Sequence, residues 1–393
     1  MSDDRRYMQQ VLDLAREGTA LASPNPRVGA LLVRDGQIVG RGVHLYADRL
    51  HAEAHALAEA GAAAQGATLY INLEPCSHTG RTPPCCDAVI RAGVRRVVAA
   101  MQDPNPAVAG EGFRRMRTAG IEVETGLMED EARELNETFC RWIRSRLPFV
   151  TLKSAMTLDG RIAAPPSRQF DRTRSQEWIT SEEARWNVQQ VRHENDAIMV
   201  GVGTVLSDNP LLTDRTGLPR RRPLLRVILD STLRMPPDCR LVQTAREGDL
   251  VIFCTFAETH KRSALERAGA RIIQVEGVQG RTDPEAVLER LGAMEITSLL
   301  VEGGSQLNWA MLSKNLVDKV LFYYAPRILG GLEAVPLAGG PGYDRVSQAA
   351  RVERISLQRF GADFALQGYL RDVYADIGTA AGANPTPREL PTE

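Results

Sequence analysis

The feature that most constrains the fold is a set of three metal-binding side chains divided between two places in the chain. His51 opens an alanine-rich helical stretch with Glu53 two residues later, whereas Cys76 and Cys85 follow a strand-like apolar segment. One imidazole and two thiolates are typical zinc ligands, and three protein ligands leave the fourth tetrahedral position open, as in catalytic sites. The fold must therefore bring the start of the helix to the end of the strand.

The neighbouring carboxylate indicates what such a zinc site would do. Zinc lowers the pKa of a bound water molecule to about 7, which makes hydroxide available at neutral pH. Glu53 is placed to take the proton of that water and return it to a leaving amine, the division of labour in zinc-dependent base deaminases. The residues predict hydrolytic deamination of an aromatic, amidine-type carbon.

The spacing of the cysteines leaves the second thiolate ligand open. The usual deaminase signature ends in Pro-Cys-x-x-Cys, but here eight residues separate Cys76 from Cys85. Cys86 directly follows Cys85, so either thiol could reach the metal.

Two other interpretations of the helix start remain. His51 and His55 are four residues apart, as in zinc peptidases, but those enzymes need Glu directly after the first His, where this chain has Ala52. The other interpretation is a solvated helix face with two buried thiols nearby.

Length, charge and cysteine content limit the kinds of protein that this chain can be. The 393 residues exceed what one hydrophobic core usually serves, so two domains are expected. The 48 basic and 49 acidic residues leave a net charge of −1, and this lack of basic excess argues against nucleic acid as a partner. No signal peptide or membrane-spanning apolar run is found, so no membrane association is expected. Six cysteines over this length suit a reducing cytoplasm.

The first half alternates helices and strands, which predicts a compact α/β sandwich of five strands. A helix near the start, a β-hairpin around Asp35-Gly36, a helix over 52–64, a strand over 68–73 and a helix over 129–144 are expected. Leu147-Pro148 breaks the pattern. We therefore predict a first domain over 1–146.

The second half, predicted as a domain over 147–375, contains apolar runs of strand length with helical segments between many of them. This pattern predicts a largely parallel sheet with helices on both faces. A last strand through Phe364 and Leu370 is expected to be antiparallel and at the sheet edge. The composition of 376–393 predicts a disordered tail.

Two strand–glycine junctions in the second half are candidate phosphate sites. Gly201-Val202-Gly203-Thr204 is a weak candidate and fits a tight strand-to-loop turn equally well. Glu302-Gly303-Gly304-Ser305 opens a predicted helix, whose N-terminus favours anions. These junctions therefore suggest a nucleotide cofactor in this half.

Polar side chains surround these junctions. Cations such as Arg192 and Arg215 could hold a sugar phosphate by paired hydrogen bonds. The alternative is a solvated, charged loop. The other polar residues nearby are Lys153, Asp159, Thr204, Asp208, Asn209 and Thr213.

Over nearly its whole length the chain resembles the bifunctional deaminase–reductases of riboflavin biosynthesis. In the first half the resemblance is carried by the strings at 24–29, 51–53, 75–85 and 103–106, which include the long Cys-x8-Cys spacing of that family. In the second half it is carried by the strings at 153–161, 178–180, 203–206, 209–213 and 301–304. The stretch 165–177 departs from the family pattern and belongs to the reductase half.

The resemblance implies a cytidine-deaminase-like α/β/α sandwich followed by a dihydrofolate-reductase-like α/β domain. It implies that zinc-dependent deamination of a diaminopyrimidinone ribosyl phosphate is followed by reduction of the ribosyl chain to ribityl with NADPH. The partner is then a small-molecule pyrimidine ribosyl phosphate, and the family suggests a homo-oligomer.

The resemblance also assigns residues to roles. In the deaminase it selects Cys85 to hold zinc with His51 and Cys76, and Glu53 to carry protons. Substrate contacts there would come from Asn25, His44, His78 and Arg81. In the reductase, cofactor contacts would come from Met156, Trp178, Thr204, Asp208, Ser231, Gly304 and Ser305, and substrate contacts from Lys153, Gln176, Arg192, Leu212, Arg215 and Glu302.

Three other functions remain as alternatives. The second half could bind a nucleotide without turning it over, the first half could act on nucleic-acid bases, or zinc could serve only to stabilise an interaction protein. Retention of every activity after Glu53→Gln would favour the last of these.

Overall fold

The structure is a computed structural model that describes residues 3–78, 83–165, 178–246 and 249–375. Its first part alternates five strands with five helices, in agreement with the sequence prediction. In chain order these are α1 Asp3–Glu17, β1 Gly29–Arg34, β2 Gln37–Val43, α2 Ala52–Ala60, β3 Thr68–Leu73, α3 Cys85–Arg91, β4 Arg96–Met101, α4 Glu111–Thr118, β5 Glu122–Thr125 and α5 Glu129–Ser145.

The five strands form one sheet in the order β2-β1-β3-β4-β5. Asp35 and Gly36 both have positive φ angles, 49° and 75°, as the predicted hairpin turn requires. Helices α1 and α5 contact each other and the sheet, while α2, α3 and α4 form a second packed group, which gives the predicted three-layer α/β/α sandwich. The predicted helix over 52–64 ends earlier, since Gly61–Ala64 form a 3₁₀ turn.

Close packing of α2 on β2 depends on two glycines. A Cβ atom at Gly40 or Gly42 would collide with the backbone oxygens of Ala56 or Ala52. Because both strand residues lack a side chain, the helix lies directly on the sheet. This contact fixes the helix end that carries His51.

The second part is built on a nine-stranded sheet. Its elements are β6 Phe149–Thr157, β7 Arg161–Ala163, α6 Glu182–Glu194, β8 Ala197–Gly201, α7 Val202–Asp208, β9 Leu225–Leu229, α8 Arg240–Gln243, β10 Leu250–Cys254, α9 Thr259–Arg267, β11 Arg271–Gln274, β12 Gly277–Val278, β13 Arg281–Thr282, α10 Pro284–Ala293, β14 Ser298–Val301, α11 Ser305–Ser313, β15 Lys319–Ala325, β16 Val335–Pro336, β17 Glu353–Phe360 and β18 Asp363–Tyr369.

The strand order is β11-β10-β9-β8-β14-β6-β15-β18-β17. Every neighbouring pair from β11 to β15 is parallel, which confirms the largely parallel sheet. Alternate residues of β8 enter different cores, because Met199 packs with β14 and α11 on one face and Val200 packs with α7 and α8 on the other. Burial on both faces explains why the central strands are continuous apolar runs.

Two predictions about the second part are wrong. The last predicted strand, β18, is antiparallel to β15 as expected, but it is not the sheet edge, because β17 lies outside it. Gly201 to Thr204 form no loop, since Val202 begins α7 directly after β8. The predicted tail over 376–393 lies outside the described residues.

Buried ion pairs join α5 to the second sheet. Glu137 accepts hydrogen bonds from Lys319 Nζ at 2.8 Å and from the Tyr369 hydroxyl at 2.9 Å. Asp318, which is fully buried, accepts the Val150 N–H at 2.9 Å and lies 3.4 Å from Arg141 Nε of α5. Each carboxylate therefore has a partner in the low-dielectric seam, as a buried charge requires.

We expect Lys319→Met to lower the free energy of unfolding by about 3–5 kcal/mol, because it leaves the Glu137 carboxylate buried and unpaired. Urea denaturation would measure the loss. Lys314→Met is the matched control: Lys314 pairs with Asp283 near the surface, and such a pair contributes at most about 1 kcal/mol. Equal losses in the two variants would contradict the interpretation.

Candidate functional site

Three side chains converge at the end of β3. His51 directly precedes α2, Cys76 follows β3, and Cys85 is the first residue of α3. His51 Nδ1 lies 3.2 Å from Cys85 Sγ and 3.5 Å from Cys76 Sγ. The three ligand atoms lie within 4.8 Å of one another, so the structure brings together the predicted set of metal ligands.

A buried carboxylate fixes the turn that carries Cys76. Glu74 accepts four backbone N–H groups, from Asp103 at 3.2 Å, Gly110 at 2.8 Å, Gly112 at 2.9 Å and Phe113 at 3.2 Å. A side chain at Gly112 would collide with the Pro75 carbonyl oxygen. The start of α4 therefore locks the Pro75-Cys76 turn in place.

The geometry distinguishes between the alternatives left by the sequence. The Cys86 sulfur is directed to the Asp87 carboxylate at 3.6 Å, outside the ligand cluster that contains Cys85. His55 pairs with Asp48 at 3.1 Å rather than with His51. Within the described residues, the metal-binding geometry therefore belongs to Cys85 and excludes the His51–His55 pair.

Glu53 lies two residues after His51, in the first turn of α2, and is only 4% exposed. Burial raises the pKa of Glu53 to about 7, although the His51 charge opposes the shift. A hydrogen bond from the Cys85 thiol lowers the pKa of Cys76 to about 4, so Cys76 is a thiolate at neutral pH. A carboxyl group with a pKa near 7 can both accept and release a proton.

A cavity of about 250 Å³ opens beside the cluster. Within it, Asn25 Nδ2 lies 2.9 Å from His44 Nε2, and His44 Nδ1 lies 2.7 Å from the Leu50 carbonyl oxygen. The His44 Nδ1–H therefore donates to Leu50, and Nε2 accepts from Asn25. Burial lowers the pKa of His44, which keeps the ring neutral.

The cavity contains some of the residues expected to contact substrate, and others as well. His78 lines the cavity and is solvent-exposed, whereas Arg81 lies outside the described residues. Four further lining residues were not predicted. Trp142 and Glu295 come from segments distant in sequence, whereas Tyr46 and Arg49 lie between His44 and His51 and belong to no recognised motif.

A second cluster lies where β6 and β14 run side by side. Glu302 accepts two hydrogen bonds from Arg192, at 2.8 and 2.9 Å, and lies 3.6 Å from Lys153 Nζ. Burial alone would raise the pKa of Glu302, but the two cations outweigh it and lower that pKa to about 2. Glu302 is therefore ionised at neutral pH.

The segment after α7 borders this cluster. The Thr213 carbonyl accepts a hydrogen bond from Arg192 at 3.0 Å, and Leu212 is buried with a φ of 52°. Arg215 is exposed, with its backbone N–H bound to Gln189 at 3.2 Å. Of the two expected cations, Arg192 binds Glu302 directly, whereas Arg215 contacts Gln189 of α6. Gln176 lies outside the described residues.

The second glycine junction has the geometry of an anion site. Gly304 is the N-cap of α11, where unpaired N–H groups favour a phosphate. Ser305 Oγ is buried and has no hydrogen-bond partner among the described residues. Thr204 Oγ1 lies close by, 3.8 Å from where a Gly304 Cβ would stand. These residues fit the phosphates of a nucleotide cofactor.

The remaining predicted cofactor residues are more dispersed. Met156 is buried in β6, whereas Trp178 and Asp208 are exposed. The Ser231 hydroxyl lies 2.9 Å from Thr282 Oγ1 and joins the end of β9 to β13. Thr204 and Asp208 lie on α7 rather than on the loop that the sequence suggested.

Comparisons with known proteins match both halves of the chain. Residues 1–101 match the cytidine and deoxycytidylate deaminase zinc-binding region, and residues 148–366 match the RibD C-terminal domain. The chain is 41% identical to riboflavin biosynthesis protein RibD of Escherichia coli, over 92% of this chain and 98% of that protein. It is also 41% identical to RibD of Actinobacillus pleuropneumoniae, over 92% of this chain and 94% of that protein.

Two solved structures share the whole architecture. Acinetobacter baumannii RibD superimposes with a TM-score of 0.80 at 34% identity, over 93% of this chain and 98% of that one. A diaminohydroxyphosphoribosylaminopyrimidine deaminase/5-amino-6-(5-phosphoribosylamino)uracil reductase from Thermotoga maritima gives a TM-score of 0.78 at 32% identity, with the same coverage.

Fold and site together define a two-domain enzyme, a zinc-dependent deaminase joined to an NADPH-dependent reductase. The chain belongs to the RibD family of riboflavin biosynthesis. It deaminates the pyrimidine ring of a ribosylaminopyrimidine phosphate and then reduces the ribosyl chain to ribityl. In the part of the chain that the structure describes, no helix is long and apolar enough to cross a bilayer.

We expect Cys85→Ser to lose most of the bound zinc, because one of three ligands is removed. Cys86→Ser is the matched control and should keep its bound zinc, since the Cys86 thiol is directed to Asp87 rather than to the ligand cluster. Elemental analysis of the purified variants measures the metal content. Zinc loss in Cys86→Ser and retention in Cys85→Ser would reverse the assignment.

Proposed function

We propose that His51, Cys76 and Cys85 hold the zinc ion and that Glu53 carries the proton in the deamination step. When bound, zinc supplies an activated water molecule at neutral pH. Glu53 accepts a proton from the attacking water and delivers it to the 2-amino group, which leaves as ammonia. The observation that carries this proposal is the buried Glu53 carboxyl beside three converging ligands.

We propose that Asn25, His44, His78 and Arg81 bind the pyrimidine substrate in this cavity. Support comes from the first three, which line the cavity beside the ligand cluster. The neutral His44 ring orients the Asn25 amide, whose carbonyl oxygen remains available to accept from the amino group of the ring. Arg81 retains its role from the family pattern alone.

In the reductase site we propose that Glu302, Arg192 and Lys153 orient the ribosyl chain, together with Leu212, Arg215 and Gln176. NADPH, when bound, supplies the hydride. The ion pairs hold Glu302 ionised and fixed in position, so its carboxylate can accept hydrogen bonds from sugar hydroxyls. Such alignment is the main contribution that a protein makes to hydride transfer.

We propose that the cofactor phosphates bind at Gly304 and Ser305, near Thr204. The Ser305 hydroxyl, buried and without a hydrogen-bond partner in the described part of the chain, supports this placement. The other cofactor contacts are proposed from the family pattern: Met156, Trp178, Asp208 and Ser231.

We further propose domain limits of 1–146 and 147–375 and a cytoplasmic location. The six cysteines are free thiols, which suits a reducing compartment.

We also propose that the chain forms a homo-oligomer. The sheet edge supports this, because β17 exposes Ile355 and Leu357, and a strand edge of this kind is open to pairing. Sedimentation velocity of the purified chain tests the proposal, and a purely monomeric boundary at micromolar concentration would contradict it.

Two variants test whether Glu53 serves deamination and Glu302 serves reduction. Glu53→Gln should lower deamination about 10²- to 10⁴-fold, because the proton carrier is lost, while zinc and the reductase activity are retained. Glu302→Gln should lower the reductase activity, while deamination and zinc content are retained. The measurement is a coupled assay in which ammonia release and NADPH absorbance are followed, with the diamino substrate or the deaminated intermediate supplied.

A zinc chelator provides the matching control in that assay. NADPH oxidation should stop with the diamino substrate and continue with the deaminated one. If Glu53→Gln retains full deamination, the proposed proton carrier is wrong. If NADPH is bound but never consumed, the reductase assignment is wrong.

A further inference from the structure

Both domains contribute to the wall of the deaminase cavity. Asn25 and Tyr46 come from the loops around the first sheet, and Trp142 comes from α5. Glu295 comes from the turn between α10 and β14 in the reductase domain. The Trp142 indole N–H donates to the Gly292 carbonyl at 3.0 Å, which holds these two walls together.

A buried carboxylate of the reductase domain binds the segment that carries Asn25. The Ser23 hydroxyl donates to Asp196 Oδ2 at 2.8 Å, and Asp196 is only 5% exposed. The same oxygen accepts the Thr297 N–H and hydroxyl, both at 2.9 Å. Asp196 is therefore fixed within its own domain, and Ser23 is bound to a rigid acceptor.

Arg222 joins this contact to the opposite wall. Its Nη2 lies 3.0 Å from Asp196 Oδ2 and 3.3 Å from Ser23 Oγ, and it donates to the Glu295 carbonyl at 2.7 Å. One guanidinium thus connects the Ser23 turn to the Glu295 turn. A planar group with several fixed donors is suited to hold such an arrangement.

The adjacent Arg221 adds two contacts across the same seam. Its backbone N–H donates to the Ala20 carbonyl at 3.0 Å, and its guanidinium lies 4.1 Å from the ring centroid of Tyr46. Both contacted residues belong to loops beside the cavity.

The other end of the Asn25 segment is held within the deaminase domain. Asn136 accepts the Arg27 N–H at 2.8 Å, and Asn72 accepts the Gly29 N–H at 2.9 Å. Asn25 therefore lies between two anchors, one from each domain. The anchor on the Ser23 side is built by the reductase domain.

We propose that Asp196 and Arg222 of the reductase domain are positioning residues for deamination, acting through Ser23 to orient Asn25 toward the pyrimidine. The proposal rests on the assignment of the cavity as the deaminase site. The reductase domain then has a second role, because it completes the substrate site of the other enzyme activity.

The test uses the full-length, zinc-loaded protein with Ser23→Ala and Arg222→Gln. Deamination is followed by ammonia release without NADPH, and reduction is assayed on the deaminated intermediate. We expect the deaminase kcat/KM to fall about ten- to hundredfold, chiefly through KM, as a displaced binding group produces. Zinc content and the kinetic constants of the reductase should not change.

Two further variants serve as controls. Ser23→Thr keeps the hydroxyl and should restore the deaminase KM, which a purely steric or stability effect would not predict. Arg234→Gln removes an exposed arginine of the same domain and should leave both activities unchanged.

Unchanged deaminase kinetics in both Ser23→Ala and Arg222→Gln would overturn the proposal. So would a parallel fall of both activities with a lower melting temperature, since that indicates a structural role only. If instead the wild type does not deaminate, or Glu53→Gln deaminates normally, the site assignment fails independently of Ser23.

Discussion

The pairing of buried charges across the domain seam is the constraint on which the arrangement of this enzyme depends. Glu137 with Lys319, and Arg141 with Asp318, place acids and bases where water cannot compensate for a missing partner. Such pairs contribute little net stability but are costly to break, so they define which orientation of the two sheets is allowed. The Asp196–Arg222 contacts to Ser23 lie on the same seam and depend on that orientation.

In both sites, the functional side chains lie at the ends of strands and at the starts of helices. In the first sheet, β3 delivers Cys76 to the starts of α2 and α3, where His51 and Cys85 stand. In the second sheet, the parallel strands place Lys153 and Glu302 side by side, and the start of α11 follows at once. Ligands commonly bind at the carboxyl ends of parallel strands. Two different chemistries therefore use the same structural principle.

The sequence predicted the central strands and the metal ligands well, because a continuous apolar run is typical of a buried strand and a His/Cys set is typical of a zinc site. It missed the edge strand β17, whose exposed residues lack the apolar run used to find the others. It also missed Glu295 and Arg222 as neighbours of the deaminase cavity. Arg222 and Ser23 are 199 positions apart, and no local pattern marks such a contact. The assignment of Arg81 and Gln176 depends on the family pattern, because both lie outside the described residues.

The four hydrogen bonds of Glu74 have a consequence for the lifetime of the metal complex. Two of the donors, Gly112 and Phe113, belong to the first turn of α4, which carries none of the three ligands His51, Cys76 and Cys85. Helix ends fray more readily than sheet interiors, and each fraying event would release the turn that carries Cys76. We therefore expect the dissociation rate of zinc to follow the rate at which the first turn of α4 opens. The lifetime of the metal complex then depends on the stability of this helix end as well as on the metal–ligand bonds.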